Sequence, residues 1–235
     1  MERKRGAVIF DGDDTLWETE PLYDAARNQA RTVVEASGLD GAGWERLQKE
    51  IDEENFGLLG LAVGRFPLSC AQAYERIAER AHGHYDPATR RAVVEAAESV
   101  FVSLAVVSSD AEAVLEELRP DWTLILCTRG DSKVQERRLA ASGLGIYFDQ
   151  VSVVPHKDES TFLDLLDAAE AGPSESWSVG NSVRSDIVPA LAAGMGAIWV
   201  PADVWAVEQS EPPEPSERFF TVPSLGRVPE TIRGC

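Results

Sequence analysis

The sequence predicts an α/β fold in which a parallel sheet has helices on both faces and an all-helical domain is inserted after the first strand. Two observations predict this class. Short apolar runs alternate with helical patterns in the C-terminal half, and a repeated order of strand, helix and strand favours a parallel sheet. Residues 18–103 show helical periodicity and no convincing strand. We therefore expect a core domain from residues 1–17 and 104–235 and a helical domain from residues 18–103.

Five apolar runs are the candidate strands of the core sheet. The first, Ala7–Phe10, is continuous and is followed by a cluster of aspartates, a pattern typical of a strand buried on both faces. The later runs cover residues 123–127, 151–154, 177–179 and 197–200. A proline-rich acidic loop is predicted at residues 209–216, and residues 219–222 resemble a short edge strand.

Three helical patterns lie among the later strands, and a glycine, a residue that commonly ends helices, follows each one. They cover residues 134–141, 161–171 and 186–193, and the glycines are Gly143, Gly172 and Gly194. Within the inserted segment, one predicted helical face is formed by Leu22, Ala26, Ala30 and Val33. Helices therefore account for most of the chain between the predicted strands.

The chain is strongly acidic, with 40 Asp and Glu against 22 Lys and Arg and a net charge of −18. Because such a field repels phosphate backbones and anionic membranes, we expect neither nucleic-acid nor membrane partners. Cys70, Cys127 and Cys235 are widely spaced, which indicates neither a disulfide framework nor a zinc site. No targeting signal or membrane-spanning stretch is evident, so we expect a cytoplasmic location.

The clearest chemical motif is the segment 11–15, DGDDT, directly after the first strand. Ligands bind at the carboxyl ends of parallel strands, and residues two apart in extended chain project to the same side. Asp11 and Asp13 can therefore face one substrate while Asp14 faces away. This pair suits phosphoryl transfer, with Asp11 as nucleophile, Asp13 as acid and base, and Mg²⁺ to neutralise charge. The alternatives are an Asp-rich helix cap or a calcium loop, although Leu16 stands where an EF-hand loop has glycine.

Three later strand ends carry further polar residues. Thr128 ends the second run, where its hydroxyl could bind phosphoryl oxygens, and the adjacent Arg129 could reach the leaving group. Lys157 follows the third run and could offset the charge of Asp11 and of a phosphoryl group. The loop 180–186, GNSVRSD, follows the fourth run and returns oxygen ligands to the same sheet edge. Each feature alone is weak, but together they predict one composite site.

In this order and spacing, the four motifs resemble those of the haloacid dehalogenase (HAD) superfamily, from residue 7 to about residue 200. The resemblance implies a Rossmann-like core with Asp11 as nucleophile and magnesium ligand. It implies that Asp13 is the acid and base and lends its backbone carbonyl to the metal. It also implies that Thr128 and Lys157 bind the phosphoryl group, and that the helical insertion is a cap that selects the substrate.

By the same resemblance, the loop containing Asn181 and Asp186 completes the metal site. Asp14 stands where the family usually has glycine, a variant that does occur in the family. Asn181 stands where the family usually has aspartate, and its amide oxygen can bind Mg²⁺ but carries no charge. The sequence leaves open whether Asn181 or Asp186 contacts the ion directly.

The predicted activity is Mg²⁺-dependent hydrolysis of a small phosphorylated metabolite. Haloacid dehalogenases share the fold, but the resemblance implies that they lack an acid at the position of Asp13. A phosphomutase with the same catalytic set and a non-catalytic HAD-like binding protein stay open, the latter favoured only by Asn181. A response-regulator receiver is disfavoured because its phosphate-accepting aspartate ends a later strand. The sequence determines neither the substrate nor the oligomeric state.

Overall fold

A computed structural model describes residues 4–202 and 210–234. These residues fall into two compact units: one is Met1–Thr19 with Ala105–Cys235, and the other is Glu20–Leu104. The boundaries differ by one or two residues from the domains predicted at residues 1–17 with 104–235 and at residues 18–103. Cys235 and the first residue of the predicted loop at 209–216 lie outside the described residues.

The inserted unit is built from helices around its own apolar core. Its four α-helices are α1 (Glu20–Ala36), α2 (Gly41–Leu59), α3 (Arg65–His82) and α4 (Pro87–Glu98). Trp44, Phe66 and Tyr74 are among the buried side chains of this core. The Asp86 carboxylate caps α4 by accepting from the Thr89 amide at 2.8 Å. This unit therefore has a core of its own, independent of the sheet.

The other unit contains a six-stranded parallel sheet, which confirms the predicted fold class. Its strands are β1 (Ala7–Phe10), β4 (Thr123–Arg129), β5 (Gln150–Val154), β6 (Trp177–Gly180), β7 (Gly196–Trp199) and β8 (Phe219–Thr221). The spatial order is β5-β4-β1-β6-β7-β8, with the predicted edge strand at one end. Two short strands, β2 (Trp17–Glu18) and β3 (Val106–Val107), form a separate antiparallel ribbon that the sequence pattern did not predict.

Helices cover both faces of the sheet. They are α5 (Ala111–Leu118), α6 (Ser132–Ser142), α7 (Glu159–Ala168), α8 (Val188–Ala192) and α9 (Val228–Arg233). One apolar cluster packs Phe10 against α5, and another packs Ile9 against α7, because successive strand residues point to opposite faces. Helix α5 was not predicted. Among the described helices, none combines the length and the hydrophobicity needed to cross a bilayer.

Two predicted helix boundaries were wrong. The helix expected at residues 161–171 ends at Ala168, and Glu170, not Gly172, adopts the left-handed backbone conformation, with φ 52°. The Ala171 amide then donates to the Leu166 carbonyl at 2.9 Å, which closes the helix end before the glycine. The helix expected at residues 186–193 starts earlier, as a π-helical turn at Val183–Ile187 that continues into α8.

Substitution of a central sheet leucine should destabilise the protein far more than substitution of a half-exposed one. Leu124 on β4 is fully buried, so Leu124→Ala should lower the free energy of unfolding by about 3 kcal/mol. Leu163→Ala on α7, where the side chain is 39% exposed, should cost less than about 1 kcal/mol. Urea unfolding measures both. Equal losses would contradict the placement of β4 in the core.

Candidate active site

The first motif is a tight loop at the carboxyl end of the central strand β1. The Asp11 amide donates to the Val179 carbonyl at 2.9 Å, so the chain stays paired with β6 up to the motif. The Leu16 amide donates to the Gly12 carbonyl at 2.9 Å and turns the chain back. Glycine is needed at position 12 because a Cβ atom there would lie 2.6 Å from the Trp17 ring. The local fold thus places Asp11 and Asp13 at the sheet edge.

The Asp14 carboxylate stabilises the loop that follows β1. Its φ of 59° is in the left-handed region, which Asp tolerates better than most residues. Its carboxylate accepts from the Thr19 amide at 2.7 Å and from the Thr19 hydroxyl at 2.6 Å. This conformation explains how aspartate is accommodated at position 14, where the HAD resemblance implies a glycine.

Lys157 joins two carboxylates that are far apart in the sequence. Its Nζ donates to Asp11 Oδ1 at 2.5 Å and to Asp186 Oδ1 at 2.7 Å. The exposed fractions of the Lys157, Asp11 and Asp186 side chains are 2%, 11% and 2%. The structure therefore brings three of the predicted site residues into one buried ion cluster.

The cluster holds two acidic groups and one basic group, and burial and the neighbouring charges shift the pKa values of Asp11 and Lys157. Burial raises the pKa of Asp11 to about 7; Lys157 opposes this shift and Asp186 adds to it. For Lys157, burial disfavours the ammonium, but the carboxylates of Asp11 and Asp186 outweigh it and raise the pKa. Lys157 is therefore held charged, and within the described part of the chain it is the only cation that pairs with the two buried carboxylates.

The Thr128 hydroxyl is buried and has no hydrogen-bond partner among the described residues. Thr128 lies near the end of β4, beside β1 in the sheet, and its side chain is buried. Within residues 4–202 and 210–234, its Oγ1 makes no hydrogen bond. A buried hydroxyl without a partner costs about 1–3 kcal/mol, so a ligand oxygen that bonds it would recover that free energy.

Asp13 is bound by three side chains at once. Trp17 Nε1 donates to its Oδ1 at 2.7 Å. Gln135 Nε2 and Arg138 Nη1, both from α6, donate to its Oδ2 at 2.8 Å and 2.7 Å. Asp13 is thus fixed in orientation, separately from the ion cluster around Asp11.

The fourth motif, the loop at residues 180–186, is built around the Asp186 carboxylate. Gly180 is required because a Cβ atom there would lie 2.3 Å from the Asp186 carboxyl group. The Ser182 amide donates to Asp186 Oδ2 at 2.9 Å, and the Trp199 indole donates to the Asn181 carbonyl at 2.8 Å. These bonds hold the loop against the ends of β6 and β7. The Asn181 side chain is buried and forms no hydrogen bond to any residue that the structure describes.

Arg129, expected at the leaving group, contacts the fourth motif. Its Nη1 donates to the Ser185 hydroxyl at 2.5 Å. Its backbone carbonyl accepts from Gln135 Nε2 at 2.9 Å. The residue therefore links the end of β4 to the loop after β6, across the carboxyl edge of the sheet.

A sequence profile of haloacid dehalogenase-like hydrolases matches residues 6–194. The chain belongs to this family. The resemblance inferred from the four motifs is thereby confirmed, and these HAD motifs all lie within the matched range.

Two curated relatives illustrate the HAD similarity. The mouse N-acylneuraminate-9-phosphatase is 30% identical over 101 residues, which are 40% of this chain and 41% of that protein. The chain therefore matches about two fifths of this relative's length. The Escherichia coli pyrimidine 5'-nucleotidase YjjG is 24% identical over 235 residues, which are 96% of each chain.

Among solved structures, a haloacid dehalogenase-like family hydrolase from Xanthomonas campestris is similar throughout. The TM-score is 0.82 at 26% sequence identity, and the match covers 97% of this chain and 95% of that chain. This likeness extends the HAD assignment beyond the segment matched by the profile.

The donors at this sheet edge fit a hard divalent cation. Among the described residues, no three acidic, histidine or cysteine side chains form a metal cluster. Mg²⁺ sites need fewer carboxylates, since carbonyl and amide oxygens and water complete the shell. Asp11, the Asp13 carbonyl and the Asn181 amide, which makes no side-chain hydrogen bond to a described residue, carry oxygens of the kind such a shell would use. A cation would also offset the buried charge that raises the pKa of Asp11.

Trp17, Gln135 and Arg138 were not among the predicted site residues. Gln135 and Arg138 lie three residues apart in the predicted helix at 134–141, and both are buried. Two long polar side chains at this spacing share a helix face. A polar pair on a helix face that packs against the core could have indicated a site contact, because buried polar side chains require hydrogen-bond partners.

Removal of the buried lysine should expose the repulsion between the two carboxylates. Without Mg²⁺ at pH 8, Lys157→Met should lower the free energy of unfolding by about 3–5 kcal/mol. At pH 5 the loss should shrink, because burial raises the pKa of Asp11, Lys157 no longer lowers it in this variant, and Asp11 is then protonated and uncharged. Urea unfolding at both pH values measures the difference.

The matched control is Lys49→Met in the helical unit. Lys49 forms an exposed ion pair with Glu45, at 2.9 Å, and its side chain is 54% exposed. This change should cost less than about 1 kcal/mol at either pH. A loss for Lys157→Met that does not depend on pH would argue against the charge imbalance.

Proposed function

We propose that this protein is a Mg²⁺-dependent phosphatase that hydrolyses a small phosphorylated metabolite through an aspartyl-phosphate on Asp11. The observation that carries the proposal is the buried Asp11 carboxylate against Lys157 at 2.5 Å, at the same sheet edge as the Thr128 hydroxyl, which lacks a partner among the described residues. The names of the two relatives, a phosphatase and a nucleotidase, support it.

The first chemical step is attack of an Asp11 oxygen on phosphorus. Lys157 and Thr128 bind the phosphoryl oxygens, so that charge on the transferring group is balanced by an ammonium and a hydroxyl. As the bond from phosphorus to the leaving oxygen breaks, Asp13 gives that oxygen a proton. The alcohol departs and Asp11 carries the phosphoryl group.

The second step is hydrolysis of the acyl phosphate. Asp13, now a carboxylate, accepts a proton from water as the water attacks phosphorus. The bond between phosphorus and the Asp11 oxygen breaks, which releases inorganic phosphate. Asp11 returns to a carboxylate and Asp13 to an acid, so the site is restored.

Four residues are proposed to form the Mg²⁺ site: Asp11 and Asn181 contact the ion through side-chain oxygens, Asp13 contacts it through its backbone carbonyl, and Asp186 lies beside it. Both Asp186 oxygens already accept hydrogen bonds, from Lys157 and from the Ser182 amide. This supports direct contact by Asn181 and a role for Asp186 in holding Lys157 beside the ion. When bound, Mg²⁺ would neutralise charge between Asp11 and the phosphoryl group.

Specificity is proposed to come from the helical unit, residues 20–104, acting as the cap that the family resemblance implies. Arg129 is proposed to bind the substrate near Thr128 while it stays linked to Ser185. The net charge of −18 favours a small substrate over a nucleic acid or an anionic membrane. Buried free thiols at Cys70 and Cys127 support a reducing cytoplasm as the location.

The competing activities differ at identifiable residues. A dehalogenase has no oxygen leaving group to protonate, whereas here an acid at position 13 is held by three side chains. A phosphomutase would return the phosphoryl group to its substrate and would release little phosphate. A non-catalytic binding protein would release none.

We expect the wild type to release phosphate from at least one compound in a panel of sugar phosphates and nucleoside monophosphates with Mg²⁺. Asp11→Asn should lower kcat at least about 10³-fold, because an amide cannot act as the nucleophile. EDTA should abolish turnover, and added Mg²⁺ should restore it. Phosphate release in a coupled assay measures the wild-type activity, the loss in Asp11→Asn and the dependence on Mg²⁺.

The control is Asp110→Asn. Asp110 is in the core unit, where its carboxylate accepts from the Gly226 amide, and it is outside the proposed site. The phosphatase activity of Asp110→Asn should stay within about twofold of that of the wild type. Equal rates for wild type and Asp11→Asn would refute the aspartyl-phosphate mechanism, and Mg²⁺-independent turnover would refute the metal.

A further inference from the structure

The three donors around Asp13 distinguish its two carboxylate oxygens. A carboxylate offers about four lone-pair positions, two on each oxygen. Oδ2 accepts from both Gln135 and Arg138, at 2.8 Å and 2.7 Å, so its positions are filled. Oδ1 accepts only from Trp17, at 2.7 Å, and among the described residues it has no other partner. One lone pair of Oδ1 is therefore left for proton exchange.

We propose that Gln135, Arg138 and Trp17 are positioning residues that fix Asp13 so that Oδ1 carries the proton exchanged with the leaving group and with water. The inference rests on the proposed phosphatase function and extends it to residues that do not touch the substrate. With the proton on Oδ1, Oδ2 keeps both of its donors. The same contacts therefore persist when Asp13 is an acid and when it is a base.

The proton balance follows from this geometry. In the first step, the Oδ1–H bond breaks and an O–H bond forms on the leaving oxygen, while the Asp11 oxygen bonds to phosphorus. In the second step, Oδ1 takes a proton from the attacking water, and the bond from phosphorus to Asp11 breaks. No oxidant, reductant or further reactant is needed.

The positioning residues are themselves held in place. Gln135 Nε2 also donates to the Arg129 carbonyl at 2.9 Å, which ties Asp13 to the end of β4. The Arg138 side chain is only 6% exposed. The Trp17 ring packs against Gly12, where a Cβ atom would clash with it. A proton-transfer group supported in this way stays within the narrow range of positions that efficient transfer requires.

The test must separate positioning of a proton donor from simple stabilisation of the loop. An alkyl phosphate has a poor leaving group that needs protonation, whereas p-nitrophenyl phosphate has a good leaving group that hardly needs it. We would compare kcat/KM for p-nitrophenyl phosphate with kcat/KM for the alkyl phosphate of the panel that the wild type hydrolyses fastest. The variants are Arg138→Met, Gln135→Leu and Arg138→Lys, and the control is Arg137→Met, on the exposed side of α6.

For Arg138→Met and Gln135→Leu, we expect the alkyl phosphate to lose about 10²-fold in kcat/KM and p-nitrophenyl phosphate less than about fivefold. Arg138→Lys should recover part of the loss on the alkyl substrate, because an ammonium can still donate to Oδ2. Arg137→Met should change neither substrate. Equal losses on both substrates would overturn the proposal, because a misfolded or loosened site does not discriminate between leaving groups.

A double-mutant cycle gives the second readout. If Arg138 acts through Asp13, the double variant Asp13→Asn with Arg138→Met should be less than about threefold slower on the alkyl phosphate than Asp13→Asn alone. A full additional loss would show that Arg138 acts elsewhere. If circular dichroism shows that Arg138→Met does not fold, Gln135→Leu replaces it in the cycle with Asp13→Asn, and the same criterion applies. A wild type that releases no phosphate from any substrate would instead refute the phosphatase function itself.

Discussion

The site depends on one interaction, the contact of Lys157 with the buried carboxylates of Asp11 and Asp186. Two acidic groups removed from water repel each other, and a single ammonium at 2.5 Å and 2.7 Å makes their burial possible. Burial, with a smaller contribution from the Asp186 charge, raises the pKa of Asp11 to about 7. The protein thus maintains a site that a divalent cation and a phosphoryl group would complete, and the parallel sheet supplies the rigid edge that holds it.

The other acidic residue of the first motif has the opposite environment. Asp13 lies beside Trp17 and the polar face of α6, with its side chain 29% exposed, whereas Asp11 is enclosed by the sheet. Neighbouring carboxylates in different surroundings can take different roles. Asp14 has a third role, since it bonds Thr19 and shapes the loop. Three aspartates within four residues are therefore not equivalent.

Much of the fold could be predicted because hydrophobic periodicity is a local property. The continuous apolar runs gave the positions of β1, β4, β6 and β7, since a strand buried on both faces must be apolar throughout. Helix α5 and the two-residue strands β2 and β3 were missed because they are too short for a periodic signal. The end of α7 was misplaced because Glu170, and not Gly172, takes the left-handed conformation, and the start of the helix before Gly194 was misplaced because a π-helical turn precedes α8.

The sequence by itself determined the family, the four motifs and the sheet edge at which they end, because strand ends are marked in the chain and parallel strands share one carboxyl edge. Only the tertiary structure decided which groups are neighbours. It placed Lys157 between Asp11 and Asp186, left the Thr128 hydroxyl without a partner in the described part of the chain, and brought Gln135 and Arg138 to Asp13. The physical reason is that all of these side-chain contacts except that of Lys157 with Asp186 join residues more than a hundred positions apart, and no pattern along the chain records their distance.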